Sequence, residues 1–318
     1  MILLVLGFLI IIWNFMDFFK STLSSNGLGK MAKGINQFLS RLILKTNNKT
    51  IYKYSGLFHL LTTFLVWLLL LILGSFFIFI SSETMVVNFN TNAAAGLLER
   101  FYYTCYVLTT VGIGDFVPGN ELSRLFTSLI SFSGFIMLTT GISYLINILS
   151  GVAAKKNLAS YIYGMGNNLD QLYDYCEASN DGSNLIVNSS QLRQLITSYT
   201  SQYWSSPIIH YFFSTDKEFA VEAQVARLYE VLNVMKVEFG KGSNERAEIS
   251  SLENAVNYLL NMSLGQQSDY DFQGEKLLEY RKEWGKYEED HNYNEKKDKE
   301  MDALLESCGW SWRSVFKD

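Results

Sequence analysis

Thr109-Thr110-Val111-Gly112-Ile113-Gly114-Asp115 lies between two strongly apolar segments, 57–80 and 125–149. Gly112 and Gly114 alternate with β-branched residues. Glycine accepts left-handed φ/ψ values that other residues resist. A run of this kind can therefore turn successive carbonyls to one side and its side chains to the other. A row of such carbonyls can replace the water around a bare cation. The segment just ahead, 94–108, is largely apolar and aromatic, and it is too short to span a bilayer. Pro118 follows closely, and then one long apolar helix.

The stretch resembles the Thr-Val-Gly-Tyr-Gly-Asp signature of the potassium channel family, with Ile113 in place of the usual aromatic. The resemblance covers residues 57–150, in the family's order of outer helix, pore helix, filter and inner helix. It implies a filter of Thr110, Val111, Gly112, Ile113 and Gly114. In it the carbonyls of Thr110, Val111, Gly112 and Ile113 bind K+, and the Thr110 hydroxyl adds the innermost site. Asp115 would sit behind the filter and brace it, with Tyr106 and Thr109 also in support. K+ is then the permeating ion, and no cofactor is expected. Gly134 falls where family members have the inner-helix hinge glycine. A glycine inside an apolar helix equally serves close packing, and both readings fit; Gly141 is a second candidate. By the same resemblance Phe135, Leu138, Ile142 and Ile146 face the cavity, where apolar side chains can close a pore by dewetting. Filters are rings of four loops and this chain carries one, so a homotetramer with fourfold symmetry is expected.

Three departures from the family pattern stand out. Ile113 has no hydroxyl to tie the filter to the pore helix. Tyr102-Tyr103 stand where family members often carry paired tryptophans, and Tyr106 where some carry a carboxylate. Each keeps bulk and changes the bonding. A weakly selective monovalent cation channel therefore stands beside a potassium-selective one. A membrane-anchored interaction protein with a vestigial pore is a third reading, against which the retained Gly112 and Gly114 argue.

Charge divides the chain. Residues 1–154 hold nine Lys/Arg against five Asp/Glu, and residues 155–318 seventeen against twenty-six. The acidic second half argues against nucleic-acid binding. Cys105, Cys176 and Cys308 show no CxxC and no disulfide frame. With His59, His210 and His291 scattered, no metal site other than the K+ filter is proposed.

Residues 2–19 form an apolar run near the lower limit for a membrane span. A cleaved signal peptide would want a basic start and a small-residue cleavage site, and neither stands out. Asp17 reads as interfacial; paired with a neighbour inside the membrane it would be a functional clue. The next stretch carries Lys20, Lys30, Lys33, Arg41, Lys45, Lys49 and Lys53 and no acid, which places it on the cytoplasmic side. Residues 35–44 have an amphipathic helical pattern. This suits an interfacial helix on anionic lipid, or a coupling element touching the gate. His59 reads as a headgroup-level residue or, alternatively, a pH sensor. The spans 57–80 and 122–149, the latter followed by Lys155 and Lys156, complete a topology with the N-terminus outside and the C-terminus cytoplasmic. No segment carries Arg at every third position, so no voltage sensor is expected.

Residues 155–318 are rich in helix formers. Val221, Val225, Leu228, Leu232 and Met235 fall at helical spacing, as do Ile249, Leu252, Val256, Leu259 and Leu260. Residues 180–184 and 240–244 read as breaks. Residues 281–300 read as one mixed-charge helix with a solvated face. Cys308-Gly309-Trp310-Ser311-Trp312 suits packing against either the domain or the membrane. No GxGxxG, Walker loop or catalytic constellation is present, so an enzyme has no support. Asn188-Ser189-Ser190 and Asn261-Met262-Ser263 fit the glycosylation pattern but fall in the half expected to be cytoplasmic.

The expected fold class is an all-α membrane protein with the tetrameric potassium-channel pore fold and an all-helical cytoplasmic domain. Its parts are an N-terminal membrane helix (1–20), a basic cytoplasmic linker with an interfacial helix (21–54), a pore domain (55–154) and the cytoplasmic helical domain (155–318). The expected location is the cell membrane, multi-pass. The expected partners are further copies of the chain, membrane lipids, and a cytoplasmic ligand or protein that the sequence does not identify.

Overall fold

A computed structural model describes residues 1–24, 27–46, 49–177, 183–238, 244–263, 272, 274–287 and 294–317. The chain forms two compact units, one of Met1–Lys45 with Leu57–Ile148, the other of Thr46–Gly56 with Leu149–Asp318. Three helices are long and apolar enough to cross a membrane: α1 (Ile2–Leu23), α3 (Lys49–Phe79) and α5 (Glu121–Met165). Together with α2 (Lys30–Thr46) and the short α4 (Leu97–Leu108), they account for nearly all the regular structure of the first unit.

In the first unit, α1 lies against α3. A Cβ on Gly7 would come within 2.6 Å of the Gly74 carbonyl oxygen, so the two backbones meet where only glycine fits. Farther along, the Phe18 ring stands edge-on to Trp67 at 5.1 Å. Asn14 Nδ2 donates to the Trp67 carbonyl at 2.9 Å. Asp17 is buried within the protein. It accepts from Trp67 Nε1 at 3.0 Å and from the backbone N–H groups of Met31 and Ala32. A carboxylate among apolar helices is tolerable only with its oxygens satisfied, and three donors do that here. His59 is likewise buried, with Nδ1 2.8 Å from Asn36 Oδ1.

The all-helical expectation needs one correction. β1 (Val86–Asn88) pairs antiparallel with β2 (Phe116–Pro118), Val86 opposite Pro118 and Asn88 opposite Phe116. This ribbon brackets α4 and ties its two ends together.

In the second unit, α8 (Val221–Glu238) is the core element, with apolar side chains buried on every side. Around it pack α6 (Leu169–Glu177), α9 (Asn244–Ser263), α11 (Glu295–Ser307) and α12 (Trp312–Phe316). Next, α7 (Ser183–Ser205) lies on α9, and α10 (Gly274–Trp284) on α12. Trp312 and Cys308 are buried, so the closing segment packs within this unit.

Residues 281–300 are not one helix, because α10 stops at Trp284 and α11 starts at Glu295. Much of the stretch is exposed, as a solvated face would be, but not all of it. The Arg281 guanidinium is fully buried and forked between Glu230 (2.7 Å) and Asp298 (2.8 Å). Of the expected breaks, Ser183 and Asn184 are already helical. Residues 180–182 and 240–243, like His291, lie outside the described residues.

Candidate ion-conduction site

The backbone of α4 ends where the filter stretch begins. At its start, Gly96 N–H donates to the Glu99 carboxylate at 2.6 Å, and the acid also suits the helix N-terminus. Arg100, the lone basic residue between Lys53 and Arg124, is buried. Its guanidinium donates to the carbonyls of Ala95 (2.8 Å), Phe79 (3.3 Å), Ser82 (2.9 Å) and Glu83 (3.2 Å). One side chain thus fastens the end of α3 and the loop after it to α4. Its isolation in an apolar stretch was the sequence signal for this role.

At the other end of α4, the Thr109 hydroxyl donates back to the Cys105 carbonyl at 3.0 Å. The N–H groups of Thr110 and Val111 bond the carbonyls of Val107 and Tyr106, both at 3.1 Å. The next residues alternate in hand. Thr110 has φ of 58°, Gly112 of 62° and Gly114 of 86°, while Val111 and Ile113 stay at negative φ. Such alternation lets consecutive carbonyls point to one side of the strand. For Thr110 a left-handed φ is unusual and costs about 1 kcal/mol or more. The side chains of Val111 and Ile113 are 65% and 53% exposed in the single chain.

Behind this stretch stands a cuff of aromatic rings. Tyr102 and Tyr103 each lie 5.2 Å from Tyr106, and Phe79 lies 4.9 Å from Tyr103. The Tyr106 hydroxyl donates to the Phe116 carbonyl, and Tyr103 Oη lies 2.7 Å from Thr127 Oγ1 on α5. A cavity of about 230 Å3 lies among Tyr103, Tyr106, Thr110, Gly112, Phe116 and Thr127. The Asp115 carboxylate accepts from the Phe116 N–H at 3.0 Å and interacts with the Tyr102 hydroxyl. The Asp115 carbonyl accepts from the Phe89 N–H at 2.9 Å, anchoring the outer end of the stretch beside the ribbon. Sequence reasoning named Tyr106 and Asp115 but missed that Phe116 and Tyr102 receive them.

On α5, Gly134 abuts the Leu108 carbonyl at the end of α4, with no room for a Cβ, and the helix is unbroken through it. This is the close approach that the packing reading of Gly134 describes. Gly141 faces the Phe64 ring. Phe135, Leu138, Ile142 and Ile146 form an exposed apolar stripe at helical spacing.

In the second unit, the C-terminal part of α5 meets a 3-10 turn, Pro207–Tyr211. Ile209 fills the space over Gly151, and the Phe212 ring covers Gly56 on α3. The Phe213 ring lies 5.8 Å from Tyr52. Residues 207–213 thus touch both helices. Lys155 is buried. Its ammonium lies 2.7 Å from Glu222 and donates to the Phe212 carbonyl at 3.1 Å. Burial pushes the Glu222 carboxyl up, but the Lys155 ammonium outweighs this and holds it below the usual carboxylate value. His210 is driven down to about 4, first by burial and then by Lys155.

Residues 65–151 match the sequence model of a family described as ion channel, so that stretch holds an ion-channel domain. Over 240 residues the chain is 25% identical to YdjJ of Bacillus subtilis strain 168, described as an uncharacterized membrane protein. The match spans 73% of this chain and 69% of that protein. No solved structure matches.

Proposed function

We propose that this chain assembles as a homotetrameric potassium-selective channel of the cell membrane, with its N-terminus outside and its C-terminus in the cytoplasm. The observation that carries this reading is the alternation of left-handed φ at Thr110, Gly112 and Gly114 at the end of a short helix. Four such stretches around an axis would offer K+ stacked rings of carbonyls from Thr110, Val111, Gly112 and Ile113. The ion sheds its water onto these oxygens and moves on when the next ion knocks on behind it. The α4 C-terminus adds the negative end of a helix dipole beneath the filter. Fourfold assembly would also cover Val111 and Ile113, which a single chain leaves exposed. Non-helical backbone at membrane depth requires such cover or a water-filled path.

Gating belongs to α5. Its apolar stripe at Leu138, Ile142 and Ile146 can close the pore by dewetting, and the cytoplasmic domain modulates that closure through residues 207–213. The test is the reversal potential of purified protein in a planar bilayer, with K+ on one side and Na+ on the other. A reversal near the K+ equilibrium value is expected, and Gly112→Asp removes the current while tetramers persist. Unchanged conduction in that variant would overturn the filter assignment.

One observation favours a second reading, a weakly selective monovalent cation channel. The filter residue Ile113 has no hydroxyl, and the Tyr106 hydroxyl is engaged by Phe116 rather than by the filter. A reversal near zero with clear current would select it.

A further inference from the structure

We infer that the outward face of α2 is a docking surface for anionic phospholipid headgroups. One side of α2 is fixed by buried polar contacts. Its first turn is held by Asp17, which accepts from Met31 N–H at 2.8 Å and Ala32 N–H at 3.1 Å. Ser21 Oγ accepts from Gly29 N–H just before it, at 2.8 Å. A turn later, Asn36 Nδ2 donates to Thr63 Oγ1 at 3.1 Å, and Asn36 Oδ1 meets His59 on α3. Ala32, Asn36 and Ile43 are the buried positions, and at 3.6 residues per turn they fall on one stripe.

With the rotation of α2 set in this way, its other face is set too. Lys30, Lys33 and Arg41 are exposed there. Phe38 and Leu42, one turn apart, flank them and are 64% and 46% exposed. No acid occurs between Lys20 and Lys53, so nothing in this stretch neutralises the face. The helix starts seven residues beyond the end of α1 and precedes α3, both long and apolar enough to cross a membrane. That places it at headgroup depth. Basic side chains beside exposed large apolar ones are what a helix presents when it lies in an anionic leaflet. Each Lys or Arg strengthens such binding, and the apolar pair anchors it in the acyl boundary. An acidic protein segment would satisfy the charges but would have no call on Phe38 and Leu42.

This inference rests on α1 and α3 crossing the bilayer, part of the reading above, but not on ion conduction. It is tested without current. Purified full-length protein in detergent is mixed with phosphatidylglycerol or phosphatidylcholine of equal chain length, and bound lipids are counted by native mass spectrometry. The wild type retains phosphatidylglycerol preferentially. In Lys30→Gln/Lys33→Gln/Arg41→Gln that preference falls at least about tenfold. Phe38→Ser/Leu42→Ser lowers retention of both lipids, and Arg124→Gln, an exposed charge on α5, changes neither. Should the triple variant fail to fold, Lys33→Gln and Arg41→Gln alone give graded losses. Equal retention of the two lipids by the wild type overturns the inference, as does an undiminished preference in the variants. If the charges instead grip an acidic segment of a neighbouring copy, the triple variant loses its oligomer and keeps its lipid preference, which also overturns it.

Discussion

Lys155 Nζ lies 2.7 Å from Glu222 Oε1, and both side chains are 2% exposed. Lys155 sits on α5, some twenty residues beyond Gly134, and Glu222 opens the central helix of the C-terminal unit. A buried pair of this kind gives modest net stability, but removing one partner strands the other charge at a cost of about 3–5 kcal/mol. Lys155→Met and Glu222→Leu are each expected to lower the melting temperature of the purified protein strongly. The double variant Lys155→Met/Glu222→Leu recovers most of the loss. If the pair also transmits the state of the domain to α5, the double variant is stable yet conducts with altered open probability. Melting curves and single-channel records on the same preparations separate the two effects.

His210 lends this cluster a pH dependence of definite sign. Its imidazole is buried beside Tyr203, Tyr211 and Phe213, near Lys155 and Glu222. The folded value of about 4 lies below the usual 6.5, so between these limits the unfolded chain binds the proton and the folded one does not. Stability is therefore full above pH 6.5 and falls as pH drops toward 4, by about 3 kcal/mol in all. Glu222, also held low, adds a further loss below the usual carboxylate range. His210→Phe flattens the decline between pH 6.5 and 4 and leaves the loss at lower pH, as read by thermal unfolding across a pH series.

The Tyr106 hydroxyl has a comparable role at the filter. Tyr106→Phe keeps the ring in its aromatic cuff and removes the donor to the Phe116 carbonyl, leaving a buried acceptor without it. The expected cost is about 1–3 kcal/mol. If residues 110–114 form the proposed filter, Phe116 starts the strand at its end, and the variant should melt at lower temperature in K+ and admit more Na+. Tyr258→Phe, at a half-exposed tyrosine on α9, changes neither. Equal melting and unchanged permeability ratios in Tyr106→Phe would remove Tyr106 from the filter's support.

Periodicity and glycine spacing made much of this legible in the sequence. The apolar repeat from Val221 to Met235 marks a helix that α8 covers. The long apolar runs mark α1, α3 and α5. What stayed hidden were charges satisfied by distant partners. Arg281 lies in a charge-dense stretch that local rules assign to solvent, and only the fold brings Glu230, 51 positions away, to its guanidinium. Lys155 follows an apolar span, and its buried partner lies on another helix. Asp17 is satisfied by partners far along the chain, on α2 and at Trp67. The three-residue strands β1 and β2 are too short for alternation to register.

Gly134 and Gly141 offer the last contrast, because both are inner-helix glycines that sequence alone leaves equivalent. At Gly134 a Cβ would overlap the Leu108 carbonyl oxygen, a backbone atom at the end of α4 and next to Thr109–Asp115. At Gly141 a Cβ would meet the Phe64 ring edge at 2.6 Å, the far end of a side chain that can rotate away. Overpacking against rigid backbone costs about 1–3 kcal/mol or more, whereas a yielding side chain absorbs most of it. Gly134→Ala is therefore expected to lower melting and abolish conduction, and Gly141→Ala to keep both near the wild type. If Gly134 served as a hinge instead, Gly134→Ala would fold and melt normally and fail only in opening. Melting curves set beside current amplitude for the two variants decide between packing and hinge.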